Sequence, residues 1–176
     1  MFMFKRWCVL LLLPIAAFAE GPGLGVPLTE AELAELPKTI YPDGQGLPSG
    51  EGRVAEGEAI FKAMCAQCHG PAGAGGTAPE LAGGHEPLTS EYPDQNIGTY
   101  WPYATTLFDF LRRSMPMFAP GSLSDAQYYS LTAYLLERNG LWAKDAVLDA
   151  QGLAAVQMPN RAGFDSLWPE QHPVTP

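Results

Sequence analysis

The sequence predicts an all-α domain built on three main helices, with irregular extensions at both ends. Three apolar stripes recur at helical spacing, no stretch reads convincingly as a sheet, and the connecting segments are rich in Gly and Pro. With 176 residues, 47% hydrophobic and 11% aromatic, the chain has the material for one core plus extensions.

At the N-terminus Lys5-Arg6 precede an apolar run from Trp7 to Phe18, and Ala17-Phe18-Ala19 precede Glu20. A basic start, a short apolar run and an A-x-A-like site predict a cleavable signal peptide over residues 1–19, hence export to the periplasm. About 12 apolar residues fall short of the roughly 20 of a spanning helix, so no membrane span is expected in the mature chain. Cleavage removes Cys8, and the loss of Lys5 and Arg6 makes the formal charge of -9 two units more negative. So acidic a surface repels phosphate backbones and anionic lipid. It excludes nucleic acid as a partner and favours a protein with a basic patch.

Residues 20–52 form an irregular arm punctuated by Gly21-Pro22-Gly23-Leu24-Gly25, Tyr41-Pro42-Asp43-Gly44 and Leu47-Pro48-Ser49-Gly50. Its one helical patch is Thr29 to Leu36, where Thr29 and Glu32 have capping-box spacing. The main domain is expected over 53–141. Its first helix runs from Val54 to Met64, with Val54, Gly57, Phe61 and Met64 on one stripe. The second spans about Tyr103 to Ser114, where Ala104, Leu107, Phe108 and Leu111 repeat at i, i+3, i+4 and i+7, and Pro116 cannot continue it. The third starts after a Ser124/Gln127 capping box, turns Leu131, Tyr134 and Leu135 inward, and stops at Asn139-Gly140. A C-terminal extension, 142–176, holds a short helix around Asp149 to Val156 and a Pro-containing tail. The arm around Tyr41 to Gly52 and the tail from Asp145 fit either docking to a partner or packing across the domain.

Between the first two helices, Gly70 to Tyr100 carries no sustained periodicity. A compact domain rarely tolerates so long a loop without another source of cohesion, which a large apolar cofactor would supply. The chemistry for one sits just before it, in Cys65-Ala66-Gln67-Cys68-His69, which reads as a c-type haem attachment. Two thiols three positions apart can reach both vinyl groups on one porphyrin edge, and the following imidazole then lies beneath the iron. The alternatives are a disulfide, a thioredoxin-like redox pair or half of a zinc site. A redox pair belongs at a strand-to-helix junction absent here. A structural zinc wants four ligands, whereas no third cysteine survives processing and His85 and His172 are far apart. One haem c, covalent through Cys65 and Cys68 and ligated by His69, is therefore expected. Candidates for the sixth ligand are Met115, Met117, His85, Met64, Met158 and His172. Met115 follows a helix, precedes Pro116 and lies far enough beyond His69 for the loop to pass around the cofactor; Met117 is the runner-up. A thioether there raises the reduction potential relative to two imidazoles and closes the iron to substrates. Trp101, Tyr103 and Arg113 are candidate donors to the haem propionates, or core residues.

These residues resemble class I cytochrome c: a Gly57/Phe61 helix leading into C-x-x-C-H, Ala78-Pro79-Glu80-Leu81-Ala82-Gly83 similar to that family's Gly-Pro-x-Leu-x-Gly, a Met-Pro, and a last helix carrying Tyr134. The resemblance implies the class I cytochrome c fold, three main helices packed around one covalent haem. It also implies a Pro79 carbonyl that orients His69, Leu81 at the cofactor, and a contact of Gly57 and Phe61 with Tyr134. A narrower resemblance rests on Gly23 to Gly25, Arg53 to Phe61, Leu81 to Gly84, Gly98 to Phe110, Arg113-Ser114-Met115-Pro116, Ala119 to Leu123 and Met158-Pro159-Asn160-Arg161. These are similar to the cytochrome subunit of periplasmic sulfite and sulfane dehydrogenases of the Sox sulfur-oxidation system. That likeness implies Met115 as sixth ligand, a molybdenum-containing sulfite/sulfane dehydrogenase subunit as partner, and a downstream c-type cytochrome as acceptor. Some members carry a second c-type domain, so this chain resembles the single-haem form or the first domain alone. Substrate oxidation would occur on the partner, and no catalytic acid, base or nucleophile is expected here. A stand-alone carrier needs the same residues. A haem enzyme or sensor needs a displaceable sixth ligand, and a cysteine-ligated thiosulfate-type enzyme is disfavoured because both mature cysteines attach the haem.

Overall fold

The computed structural model describes residues 24–36, 38–84 and 86–165, so the expected signal peptide, His85 and His172 lie outside the described residues. The chain divides after Leu36 into two units. In the first, α1 (Glu30–Glu35) starts with both halves of the capping box: Glu32 N donates to Thr29 Oγ1 at 3.3 Å and Thr29 N to Glu32 Oε2 at 2.8 Å. The Glu32 carboxyl accepts from the Thr29 N–H and also from the Thr29 hydroxyl, at 2.8 Å, and these two bonds favour its ionised form and hold it below the usual carboxylate range.

The second unit contains β1 (Glu51–Arg53), α2 (Val54–Met64), α3 (Ala66–His69), a 3-10 turn at Pro71–Gly73, α4 (Ala104–Ser114), α5 (Asp125–Arg138), β2 (Val147–Asp149) and α6 (Ala150–Ala155). The Ser124/Gln127 box caps α5 from both sides, at 3.3 and 2.8 Å. The expected core helices therefore form where their stripes and caps lie. The burial of α5 exceeds its stripe, however. Every residue from Tyr128 to Leu136 is buried, because α2, α4, β1 and β2 all pack on this one helix. A helix covered all round needs no polar face, so its period weakens as a signal.

α2 crosses α5 with no room for a side chain at Gly57, where a Cβ would stand 1.9 Å from Ser130 O. The same is true of Gly52, whose Cβ would meet Ser130 N at 2.1 Å. Beside this crossing the Phe61 and Tyr134 rings pack with centroids 5.2 Å apart, a contact worth about 0.5–1.5 kcal/mol beyond area burial. Ser130, 1% exposed, is satisfied: its Oγ accepts from Arg53 N at 3.2 Å and donates to Glu56 Oε2 at 3.0 Å.

The structure adds one sheet that the sequence reading lacks. β1 and β2 pair antiparallel, Glu51 opposite Asp149 and Arg53 opposite Val147. Three-residue strands are too short to show a period of two, and their pairing joins distant parts of the chain. The pair draws segments on both sides of residues 53–141 into the same core. Ile40, Leu148, Leu153, Val156 and Met158 are all buried with the helices. Tyr129 donates to Pro48 O at 2.8 Å, and Arg113 Nη2 to Lys38 O at 2.8 Å, fastening residues 38–48 to α5 and α4.

Candidate haem site

α2 ends by handing its last turn to the sequence motif. Cys65 N donates to Phe61 O at 2.9 Å, and His69 N to Cys65 O at 3.0 Å, so Cys65, Cys68 and His69 share one helical turn. Spacing of three puts both thiols on one face of that turn. Both are free and half-buried. Burial pushes the Cys65 thiol up to about 11, and the neighbouring Cys68 adds to the rise.

The chain then doubles back beneath the motif. Gly70, at φ +74, makes the reversal; a Cβ there would lie 2.0 Å from Gly75 O. Gly75 N donates to His69 O at 2.8 Å, Ala78 N to Cys68 O at 2.9 Å, and Leu81 N to Gly73 O at 2.7 Å. This places Pro79 O 2.9 Å from His69 Nδ1. A carbonyl can only accept, so Nδ1 carries the proton and the Nε2 lone pair is left for a metal. Leu81 is half-buried against the core, and its carbonyl accepts from Asn139 Nδ2 at 3.1 Å. Asn139 thus ties the end of α5 to the loop. Along the chain Asn139 marks only the stop of α5, because nothing local identifies a side chain that bridges to residue 81.

The rest of the long loop has a polar scaffold of its own. Asn96, 2% exposed, accepts from Gly98 N at 3.0 Å and Thr99 N at 3.1 Å, and donates to Glu80 Oε1 at 3.0 Å. Part of the cohesion expected of a cofactor is therefore supplied by one buried amide.

Met115 is the C-cap of α4, half-buried against the core, while Met117 is 64% exposed. Of the remaining sulfur candidates, Met64 is half-buried and Met158 is a core residue at 3% exposure. Trp101 is half-buried, its ring edge-on to Phe110 at 5.7 Å. Tyr103 lies under the Arg161 guanidinium, 5.2 Å from its ring centroid, and Asn160 Nδ2 donates to Tyr100 O at 2.7 Å. The strings 158–161 and 100–103 are thus one clasp. Arg113 Nε donates to Asp109 Oδ1 at 2.8 Å, so with its bond to Lys38 two of its donors are committed to protein. Among the described residues no group of three or more His, Cys, Asp or Glu side chains converges to hold a metal.

The family model for cytochrome c matches residues 54–139. A chain of the sulfane dehydrogenase SoxCD from Paracoccus pantotrophus superposes with a TM-score of 0.76 at 42% identity, covering 82% of this chain and 72% of that one. The chain belongs to the class I c-type cytochromes. It is also 36% identical over 123 residues to the thiosulfate dehydrogenase of Stutzerimonas stutzeri (strain A1501); the match covers 69% of this chain but spans only 37% of that protein.

Membership in the cytochrome c family implies a covalent haem c, and the donor set suits one. Two thiols share a face, an imidazole has its Nδ1 against the Pro79 carbonyl, and a half-buried thioether stands at the end of α4. Among the described residues no helix of this cytochrome is long and apolar enough to cross a membrane.

Proposed function

We propose that this cytochrome is a periplasmic monohaem electron-transfer subunit of a molybdenum-dependent sulfite/sulfane dehydrogenase. It takes electrons from sulfur-compound oxidation on its partner and passes them to another c-type cytochrome. The observation that carries this reading is the 42% identity, at a TM-score of 0.76 and over 82% of the chain, to a protein whose name is sulfane dehydrogenase. Bound haem c supplies a one-electron iron couple. Cys65 and Cys68 would hold it through thioethers, and the His69 imidazole, aimed by Pro79, and the Met115 thioether would be the protein groups that bind its iron. Residues 1–19 direct export, 20–52 and 142–176 flank the 53–141 domain, and the formal charge, -9 for the full chain and two units more negative once Lys5 and Arg6 are removed, favours a partner with a basic docking face. Leu81, Trp101 and Arg113 are assigned to the cofactor's surroundings, the last two as propionate donors.

The test is purification of the tagged chain from its native cells, with metal analysis of each fraction. Molybdenum co-eluting with haem in fixed ratio is the expected result. A molybdenum-free monomer would replace this reading with that of a stand-alone carrier. The identity to thiosulfate dehydrogenase favours one further reading, a haem enzyme acting on thiosulfate. Reduction of the isolated cytochrome by thiosulfate, with no partner present, would select it.

A further inference from the structure

Met115 is held by its backbone from both sides. Its N–H donates to Leu111 O at 3.0 Å, and its carbonyl accepts the Tyr128 hydroxyl at 3.1 Å. Tyr128 belongs to the second turn of α5 and is 1% exposed. Its ring stands edge-on to Phe108 at 6.3 Å, and its own carbonyl accepts from Thr132 Oγ1 at 2.7 Å. A hydroxyl with little freedom, carried by the most buried helix of the domain, thus fixes the backbone from which the Met115 thioether projects.

We propose that Tyr128 is a positioning residue for the sixth ligand. By anchoring the Met115 carbonyl it keeps the thioether in place against competing ligands, without touching the cofactor itself. The inference rests on the reading of Met115 as that ligand. An added ligand can bind only when the thioether has moved away, so its apparent affinity scales with the fraction of molecules in which residue 115 is released. The Tyr128 bond opposes every release that moves the residue 115 backbone, because such a movement takes the carbonyl away from its donor. The neighbouring Tyr129 has no part in this contact: its hydroxyl donates to Pro48 O instead, at 2.8 Å.

The experiment titrates the haem-loaded, full-length ferric protein with imidazole and follows loss of the near-infrared sulfur-to-iron band. Tyr128→Phe keeps the ring against Phe108 and removes only the donor. It should retain the band without imidazole and bind imidazole about fivefold more tightly, the equivalent of a neutral hydrogen bond worth ~1 kcal/mol. Tyr128→Leu, a second donor-free variant, should shift in the same direction. Tyr129→Phe loses a hydroxyl of similar burial but should bind imidazole as the unmodified protein does. Unchanged affinity in both Tyr128 variants, or an equal shift in Tyr129→Phe, would overturn the positioning role. Met115→Ala run beside them separates the two layers: a band that survives it removes Met115 as ligand, whereas a band that vanishes while the Tyr128 variants stay inert defeats only the role of Tyr128.

Discussion

Gly57→Ala sets two local effects of opposite sign against each other. An exposed helix interior gains about 1 kcal/mol when Gly becomes Ala, because Gly loses more backbone entropy on folding. At residue 57, however, the new Cβ would stand 1.9 Å from Ser130 O, 2.5 Å from Ser130 C and 2.8 Å from Tyr134 Cβ. Two of these three atoms are helix backbone and cannot turn aside as a side-chain tip would. Relief to an ordinary contact requires α2 and α5 to part by more than about 1 Å, in an interior packed as tightly as an organic crystal. Overpacking costs about 1–3 kcal/mol, and a clash with backbone belongs at the upper end. Subtracting the propensity gain leaves a net loss of about 2 kcal/mol, roughly 30-fold in the unfolding constant. Guanidinium unfolding of the haem-loaded protein, followed by far-ultraviolet circular dichroism, measures it; the corresponding fall in Tm is about 4–8 °C. An unchanged or raised stability would refute the close crossing, since propensity alone would then have decided the sign.

Ser130→Ala leaves the Arg53 N–H and the Glu56 carboxylate without their shared hydroxyl, and should cost about 1–2 kcal/mol by the same denaturation assay. Met115→Ala should abolish the sulfur-to-iron band and lower the reduction potential, while Met117→Ala should leave both as they are; spectroelectrochemistry reads the two together. In the haem-free chain Cys65, with its thiol pushed up to about 11, should be alkylated at pH 8 roughly 100-fold more slowly than an unhindered cysteine, because the thiolate is the nucleophile. The folded haem-free chain keeps that proton above the pH at which an unfolded thiol loses it, so stability is full below about pH 9 and falls as pH rises towards 11. The haem-loaded protein, in which the thiol is consumed, should lack this fall. Asn160→Ala should release residues 158–161 from Tyr100 O at a cost of about 1 kcal/mol, seen as faster amide exchange at Tyr103 and Ala104.

What was readable along the chain was what the chain encodes locally. The stripe of Val54, Gly57 and Phe61, the Ala104 to Leu111 repeat and the Thr29 and Ser124 capping boxes each involve residues within a few positions, and each element stands where those signals put it. The attachment motif is local in the same sense, since Cys65, Cys68 and His69 fall on one turn. The burial of α5 is not legible along the chain for the converse reason. Its inward stripe shows up in periodicity, but Ser130, Thr132 and Tyr128 are buried by partners that arrive from elsewhere in the chain.

By itself, therefore, the sequence determined where the main helices start and stop, and that two cysteines and a histidine are presented together within one turn. Only the tertiary structure decided that residues 51–53 and 147–149 pair, that the string at 158–161 clasps the one at 100–103, that Asn139 steadies the loop under His69, and that Tyr128 holds Met115. The division has a physical cause. Helix periodicity and capping come from hydrogen bonds closed within four or five residues, whereas these later contacts join groups brought together only after the helices have packed, and a linear chain carries no local mark of them.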